Sequence, residues 1–418
     1  MPRFFEFQQG EYRRGKGMTI LSMVFRSLRQ HLLSTVITSL SIALAAGLIL
    51  SVWVIKDQSN ATFTGVDAGF DAVLGARSSK LQLVLNGIFH LEASPGNLAW
   101  EDYLEIQKHP GVAHAIPIAV GDNYRGYRLV GVLPELFTET QFSEGNAYTL
   151  KPGGRLMAPD RREAVVGSFA ATRLKLKPGD TFHPYHGLLF DEKKQHAETY
   201  VVVGVLEPTN TPADQVIWIP ITGLQLMSGH DPKAATDISA VLVKLRNPQA
   251  GFRLDMMYNK QGNRLTFAWP IQRIMALLFD KISWFDRVLE IVAILVAVVA
   301  AGSVLTGIYN SMNERKRDIA ILRALGARRR VIFGSIVLES TLISLLGMFV
   351  GFALYAIIFT TAARVIQLQT GVVLDLWTWH PALVWTPLCM VALGAITGCI
   401  PAIKAYRTHV ADHLIPTS

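Results

Sequence analysis

Half of the 418 residues are hydrophobic and only 17% are charged, against about 25% charged in an average soluble domain, and the mean hydropathy of +0.30 excludes an ordinary soluble globular protein. The net charge of +8 would suit a nucleic-acid binder if it were spread over a folded domain. Residues 56–287 instead hold 24 basic and 24 acidic side chains, so they offer no face to a phosphate backbone, and nucleic acid is excluded as a partner.

Residues 1–31 carry six basic and two acidic residues, 310–330 seven and two, and 404–418 two and one. Cytoplasmic segments of membrane proteins collect Lys and Arg, so these three segments are expected in the cytoplasm and the 56–287 region outside it. Within 18–31, Ile20, Met23, Val24 and Leu28 share one face while Arg26 and Arg29 lie on another, as in an interfacial helix. Residues 32–55 then carry no charge, long enough to cross about 30 Å of hydrocarbon. The run is too long for a cleaved secretory h-region, so a retained signal anchor, TM1, is expected.

The large region 56–287 alternates short β-type runs with helical ones. Residues 127–133, 164–167, 199–206, 216–220 and 240–245 are rich in Val, Ile and aromatics and are bounded by Gly, Pro and Asp, which predicts strands. The spacing at 100–108 and 168–176 predicts helices, and Pro178-Gly179-Asp180 a turn into 181–184. A mixed α+β domain follows. Its two subdomains are expected to divide near 150–160, where Pro152, Gly153, Gly154 and Pro159 cluster. The region has no cysteine; Cys389 and Cys399 both fall in the last apolar run, about 15 Å apart on one helix and beyond any disulfide.

From Ile271 the period changes. Ile271, Ile274, Leu277, Leu278, Ile282, Phe285 and Val288 recur at three and four residues and lead straight into an apolar run. One long helix is expected, with 271–287 as a stalk and 288–309 as TM2; an interfacial helix flanked by Trp269 and Trp284 is the alternative. Residues 310–330 follow as a basic connection, 331–363 as TM3, 364–381 as an extracytoplasmic loop, 382–403 as TM4 and 404–418 as a cytoplasmic tail. The fold class is therefore a four-span α-helical membrane protein with a mixed α+β domain inserted between the first two spans.

The search for catalytic chemistry is negative. Gly10 to Lys16 has P-loop spacing, but Gly17 stands where a metal-binding Ser or Thr is needed and no strand precedes it. No HExxH, GxSxG or CxxC is found, so the chain is not expected to be an enzyme or to bind a cofactor itself. His183, His186 and His196 fall near Asp191 and Glu192, and are the candidates for a metal; a hydrated surface is the expected reading, with no metal. Glu339, about 13 Å beyond Arg330 along a helix, must face another helix or a polar cavity, and a structural hydrogen bond is expected of it.

The connection between the second and third spans is the most informative stretch. A helix from Glu314 to Gly326 sets Ile319, Leu322 and Leu325 on one flank, with Arg315, Lys316, Asp318 and Arg323 around it. A short, exposed, partly apolar helix of this kind is suited to docking on a partner. Glu314-Arg-Lys-Arg-Asp-Ile-Ala-Ile-Leu-Arg-Ala-Leu-Gly-Ala327, Arg317 included, followed by Glu339, resembles the signature of FtsX-like permeases, the MacB and LolC/LolE class of ABC transporter membrane subunits. Pro401-Ala-Ile-Lys-Ala-Tyr-Arg407 is similar to the closing motif of that class, and 164–170, 176–181 and 200–206 resemble its periplasmic domain.

That resemblance implies a location in the bacterial inner membrane and a coupling helix at 314–327 seated on a separate cytoplasmic ABC ATPase, which binds ATP and Mg. It implies a second permease copy, as homodimer or heterodimer, and a periplasmic adaptor, lipoprotein or outer-membrane factor as further partners. Two functions follow. One is mechanotransmission, in which ATP hydrolysis drives periplasmic motion for efflux or extraction of a substrate; the other is an FtsX-type regulator that switches a partner such as a cell-wall hydrolase. The size of the 56–287 domain favours the first. A channel-forming importer is disfavoured, since the spans offer few polar residues to line a path.

Overall fold

The computed structural model describes residues 20–66, 68–143, 145–228, 236–314, 321 and 326–407. The chain divides into two compact units, Met1–Trp53 with Leu289–Ile358 and Trp379–Ser418, and Val54–Val288 with Phe359–Thr378.

Among the described residues, four helices are long and apolar enough to cross a membrane: Leu32–Gly65, Ile271–Glu314, Arg329–Thr370 and Ala382–Arg407. A shorter helix, Ile20–Gln30, precedes them, with Val24, Ser27 and Leu28 buried and Leu21 and Phe25 exposed. All four long helices outrun the apolar segments that nucleate them. Lys56 and Asp57 do not stop the first, which continues to Gly65, just before Ala68 and Gly69 turn the chain with left-handed φ of +50° and +83°. The third continues to Thr370, so the expected loop 364–381 is helical over its first seven residues, ending where Gly371 takes φ +75°.

The unit built on Val54–Val288 is organised by one mixed sheet. Its strands are β1 (Ala72–Ala76), β2 (Val112–Tyr124), β3 (Tyr127–Val132), β6 (Glu163–Val166), β7 (Thr181–Phe182), β8 (Tyr185–His186), β9 (Tyr200–Val205), β10 (Ile217–Pro220), β11 (Ala240–Leu245) and β12 (Leu265–Ala268), while β4 (Gln141–Ser143) and β5 (Asn146–Ala147) form a separate hairpin. The order is β12-β1-β11-β2-β3-β10-β6-β9-β7, with β8 paired to β2. The pairs β3·β10 and β6·β9 are parallel and the rest antiparallel.

Both faces of this sheet are buried, and the two-residue period of a strand sorts its side chains between two cores. Leu74, Leu129, Val166, Ile217, Ile219, Val241 and Phe267 enter one core, and Val73, Val130, Val165, Trp218, Leu242 and Ala268 the other. The helix Trp100–Gln107 covers the first face with Tyr103 and Ile106, and the helix Lys80–Gly87 covers the second with Leu83 and Val84. Residues 150–160 lie where the chain crosses from one half of the sheet to the other. The two halves are nevertheless one hydrogen-bonded sheet, joined through Ile217–Pro220 and Leu129–Val132, so the division expected there does not interrupt the pairing.

Candidate functional site

Small residues set the packing of the helical unit. Ser340 and Ser344, one turn apart and fully buried on the third long helix, face Gly394 and Gly398 on the fourth. A Cβ on Gly394 would lie 1.7 Å from Ser344 Oγ, and one on Gly398 2.0 Å from Ser340 Oγ, so only glycine permits this approach. The third helix presents Gly347 and Gly351 to the first, where Cβ atoms would meet Ile42 at 2.7 Å and Ala46 at 3.1 Å. Water supplies no drive between helices in lipid, and close backbone approach through small residues is the usual substitute.

Glu339 begins this line of residues. It is buried, and its Oε1 accepts a 2.5 Å hydrogen bond from Ser27 Oγ on the helix Ile20–Gln30. A carboxyl in an apolar helix is costly unless a polar partner meets it, and a hydroxyl from another helix meets it here. Of the expected coupling segment, Arg315, Arg317, Asp318, Ile319, Leu322, Arg323 and Leu325 lie outside the described residues. Glu314 closes the second long helix, Ile321 is exposed, and Gly326 has φ +100°, a conformation that favours glycine.

In the sheet-built unit, the beginnings and ends of the long helices are fastened to the domain. Ile271, Ile274 and Met275, in the first two turns of the second long helix, are buried in the core beside Val73 and Ala268, and Ile271 N–H donates to Asp71 O at 3.2 Å. Phe63 packs on Phe89 and Phe279, at centroid distances of 5.6 and 5.9 Å. Gln215 Nε2 donates to the carbonyls of Gln367 and Leu368 at 2.5 and 3.1 Å, and Gln58 exchanges two hydrogen bonds with the Asp375 backbone.

The Gln215 contact stands on a turn organised by buried Asp214. Its carboxylate accepts from the N–H groups of Thr209 and Asn210 and from Thr209 Oγ1. Burial raises the Asp214 pKa, and these hydrogen bonds only partly offset the rise. A separate open cleft of about 890 Å³ is lined by Gly69, His114, Glu139, Gln141, Lys244 and Arg246.

The three histidines part company. His183 Nδ1 lies 3.1 Å from Glu198 O. His186 and His196 instead converge on Asp122, which spacing in the sequence could not associate with them: His186 Nδ1 is 3.3 Å and His196 Nε2 3.4 Å from the same Oδ1 of a wholly buried carboxylate. Asp122 pairs with His186 across β2 and β8.

Family models match two parts of the chain: one described as the MacB-like periplasmic core domain over residues 35–251, and one described as the FtsX-like permease C-terminal over residues 290–410. The chain belongs to the MacB/FtsX-like family of ABC transporter permeases. The macrolide export ATP-binding/permease protein MacB of Shigella boydii is 25% identical over 94% of this permease and 60% of its own length, and that of Escherichia coli K12 is 25% identical over the same shares. The chain thus spans about 60% of the length of these relatives.

Two solved structures are also similar. The periplasmic region of MacB from Actinobacillus actinomycetemcomitans is 16% identical, with a TM-score of 0.34 over 51% of this chain and 94% of that one. The extracellular domain of the noncanonic ABC-type transporter YknZ from Gram-positive bacteria is 17% identical, with a TM-score of 0.29 over 47% and 98%.

Proposed function

We propose that this permease is a mechanotransmission subunit of the bacterial inner membrane, with four transmembrane helices and the sheet-built domain in the periplasm. A separate cytoplasmic ABC ATPase binds ATP and Mg and docks on the segment 314–327. Two permease copies work as a dimer, and periplasmic motion drives efflux or extraction of a substrate, with an adaptor, lipoprotein or outer-membrane factor as the further partner. The observation that carries this reading is the second long helix: it runs unbroken for 44 residues, about 66 Å, and its first turns are part of the domain core. A helix whose first turns belong to the domain core is suited to carrying motion of that domain.

The test is the pair Ile319→Asp and Leu322→Asp. Truncation of apolar anchors at an interface core costs about 2 kcal/mol or more each, so the double substitution should weaken ATPase binding by well over about a hundredfold while the subunit still inserts. Co-purification and stimulated ATP hydrolysis report the loss. Retention of both in the double variant would refute docking at this segment.

A further inference from the structure

We propose that Asp122, His186 and His196 form a binding site for one divalent transition-metal ion of the zinc class. Their ligand atoms all lie within 4.8 Å of one another. The decisive feature is spacing. Asp122 Oδ1 stands 3.3 Å from His186 Nδ1 and 3.4 Å from His196 Nε2, longer than the roughly 2.7–2.9 Å of a charge-assisted hydrogen bond. Zinc bonds of about 2.0–2.1 Å at tetrahedral angles separate neighbouring ligands by about 3.4 Å, which is the distance found for both aspartate–histidine pairs. The two imidazole centroids are 5.5 Å apart with their planes at 78°, so the rings do not stack.

The surroundings hold the ligands in place. His196 Nδ1 is 2.8 Å from Ser228 O, a contact that requires Nδ1 to carry a proton and leaves Nε2, which faces Asp122, as the ligand atom. A ligating histidine that donates its other N–H to a backbone carbonyl is the common arrangement in metal sites. Ser228 is itself fixed by Glu198, which accepts from its N–H and its hydroxyl at 2.9 Å each.

The strand carrying His186 is held by Asn123, fully buried, whose Nδ2 donates to Gly187 O at 2.8 Å and whose Oδ1 accepts from Gly126 N–H at 3.0 Å. His196 N–H donates to Pro184 O at 2.9 Å, bringing the segment that carries the second imidazole alongside. The donor set of two imidazoles and one carboxylate suits zinc and its neighbours and not magnesium or calcium, which take oxygen ligands. His186 is half exposed, so a fourth position opens to water. The ion would pin the β8 segment to the end of β2, linking stretches more than sixty residues apart.

The full-length protein in detergent, stripped with a chelator, should take up one Zn²⁺ per chain against a chromophoric competitor, and Co²⁺ in its place should show the intense visible bands of tetrahedral coordination. His186→Ala removes an exposed ligand and should weaken Zn²⁺ binding about a hundredfold or more, while His183→Ala, turned to the Glu198 carbonyl, should bind as wild type does. Asp122→Asn should lose the site too, with thermal melts showing whether it is folded; His186→Ala decides the matter if it is not. No ion retained by wild type, or wild-type affinity in His186→Ala, would overturn the site and leave a histidine–aspartate hydrogen-bonded cluster.

Discussion

If the second long helix transmits motion, a proline at Ala276 should uncouple the protein without unfolding it. The substitution removes the N–H that donates to the carbonyl of Gln272 and sets the ring against it, at about 3 kcal/mol or a kink. The turn below is held independently, because Ile271 and Met275 are 0% and 1% exposed in the domain core, so the break falls between an anchored end and the remaining rod. From residue 277 to Glu314 the helix runs about 57 Å, and a kink of about 20° displaces its far end by about 20 Å. The assay pairs ATP hydrolysis by the assembled complex with the periplasmic activity it drives. Hydrolysis should persist in Ala276→Pro while that activity fails, and Ala276→Ser, which leaves the backbone bond intact, should keep both. Full periplasmic activity in Ala276→Pro would refute the rigid-rod reasoning.

Two further outcomes are expected. Gly394→Leu should lower the melting temperature of the purified protein by the equivalent of about 2 kcal/mol or more, through overpacking against Ser344, whereas Gly334→Ala, where a Cβ meets nothing within 4 Å, should be nearly neutral. Glu163, bound by Arg155 through two charge-assisted hydrogen bonds, has its pKa lowered to about 2, so its contribution is present above about pH 4.5 and fades as the pH falls toward 2; denaturant midpoints of Glu163→Gln should lie below wild type at pH 7 and converge with it in acid. His90 adds to the same acid limb from the opposite side: burial first, then the Arg128 charge, lowers its pKa to about 3, so the unfolded chain binds the extra proton and stability is lost between about pH 6.5 and 3.

The parts legible in the sequence are those whose signal is local. Val, Ile and aromatic runs at 127–133, 164–167, 199–206, 216–220 and 240–245 correspond to strands within a residue or so at each end, and the three-and-four spacing from Ile271 corresponds to a continuous helix. β2, the longest strand, left no such signal. Its segment from Val112 to Tyr124 contains Pro117, Gly121, Asp122 and Asn123, residues that ordinarily punctuate structure, and its identity as a strand comes from pairing with β11 on one side and β3 on the other. Ala72–Ala76 and Leu265–Ala268 are likewise short and carried by their partners.

The missed strand explains the missed ligand. A search for metal chemistry along the chain pairs histidines with the nearest carboxylates, here Asp191 and Glu192, because local spacing is all it can use. The shift in register between Val120 and Asp122 changes the pairing with β3 just before β2 meets β8, and Asp122 then stands opposite His186. Bulges re-aim side chains in this way and often mark functional positions. Burying a carboxylate costs energy unless a donor or a positive charge meets it, and at Asp122 two imidazole nitrogens stand 3.3 and 3.4 Å from the same oxygen. A cation held among these three groups would tie them together where β8, too short to be stable on two residues of pairing alone, has most to gain from a crosslink.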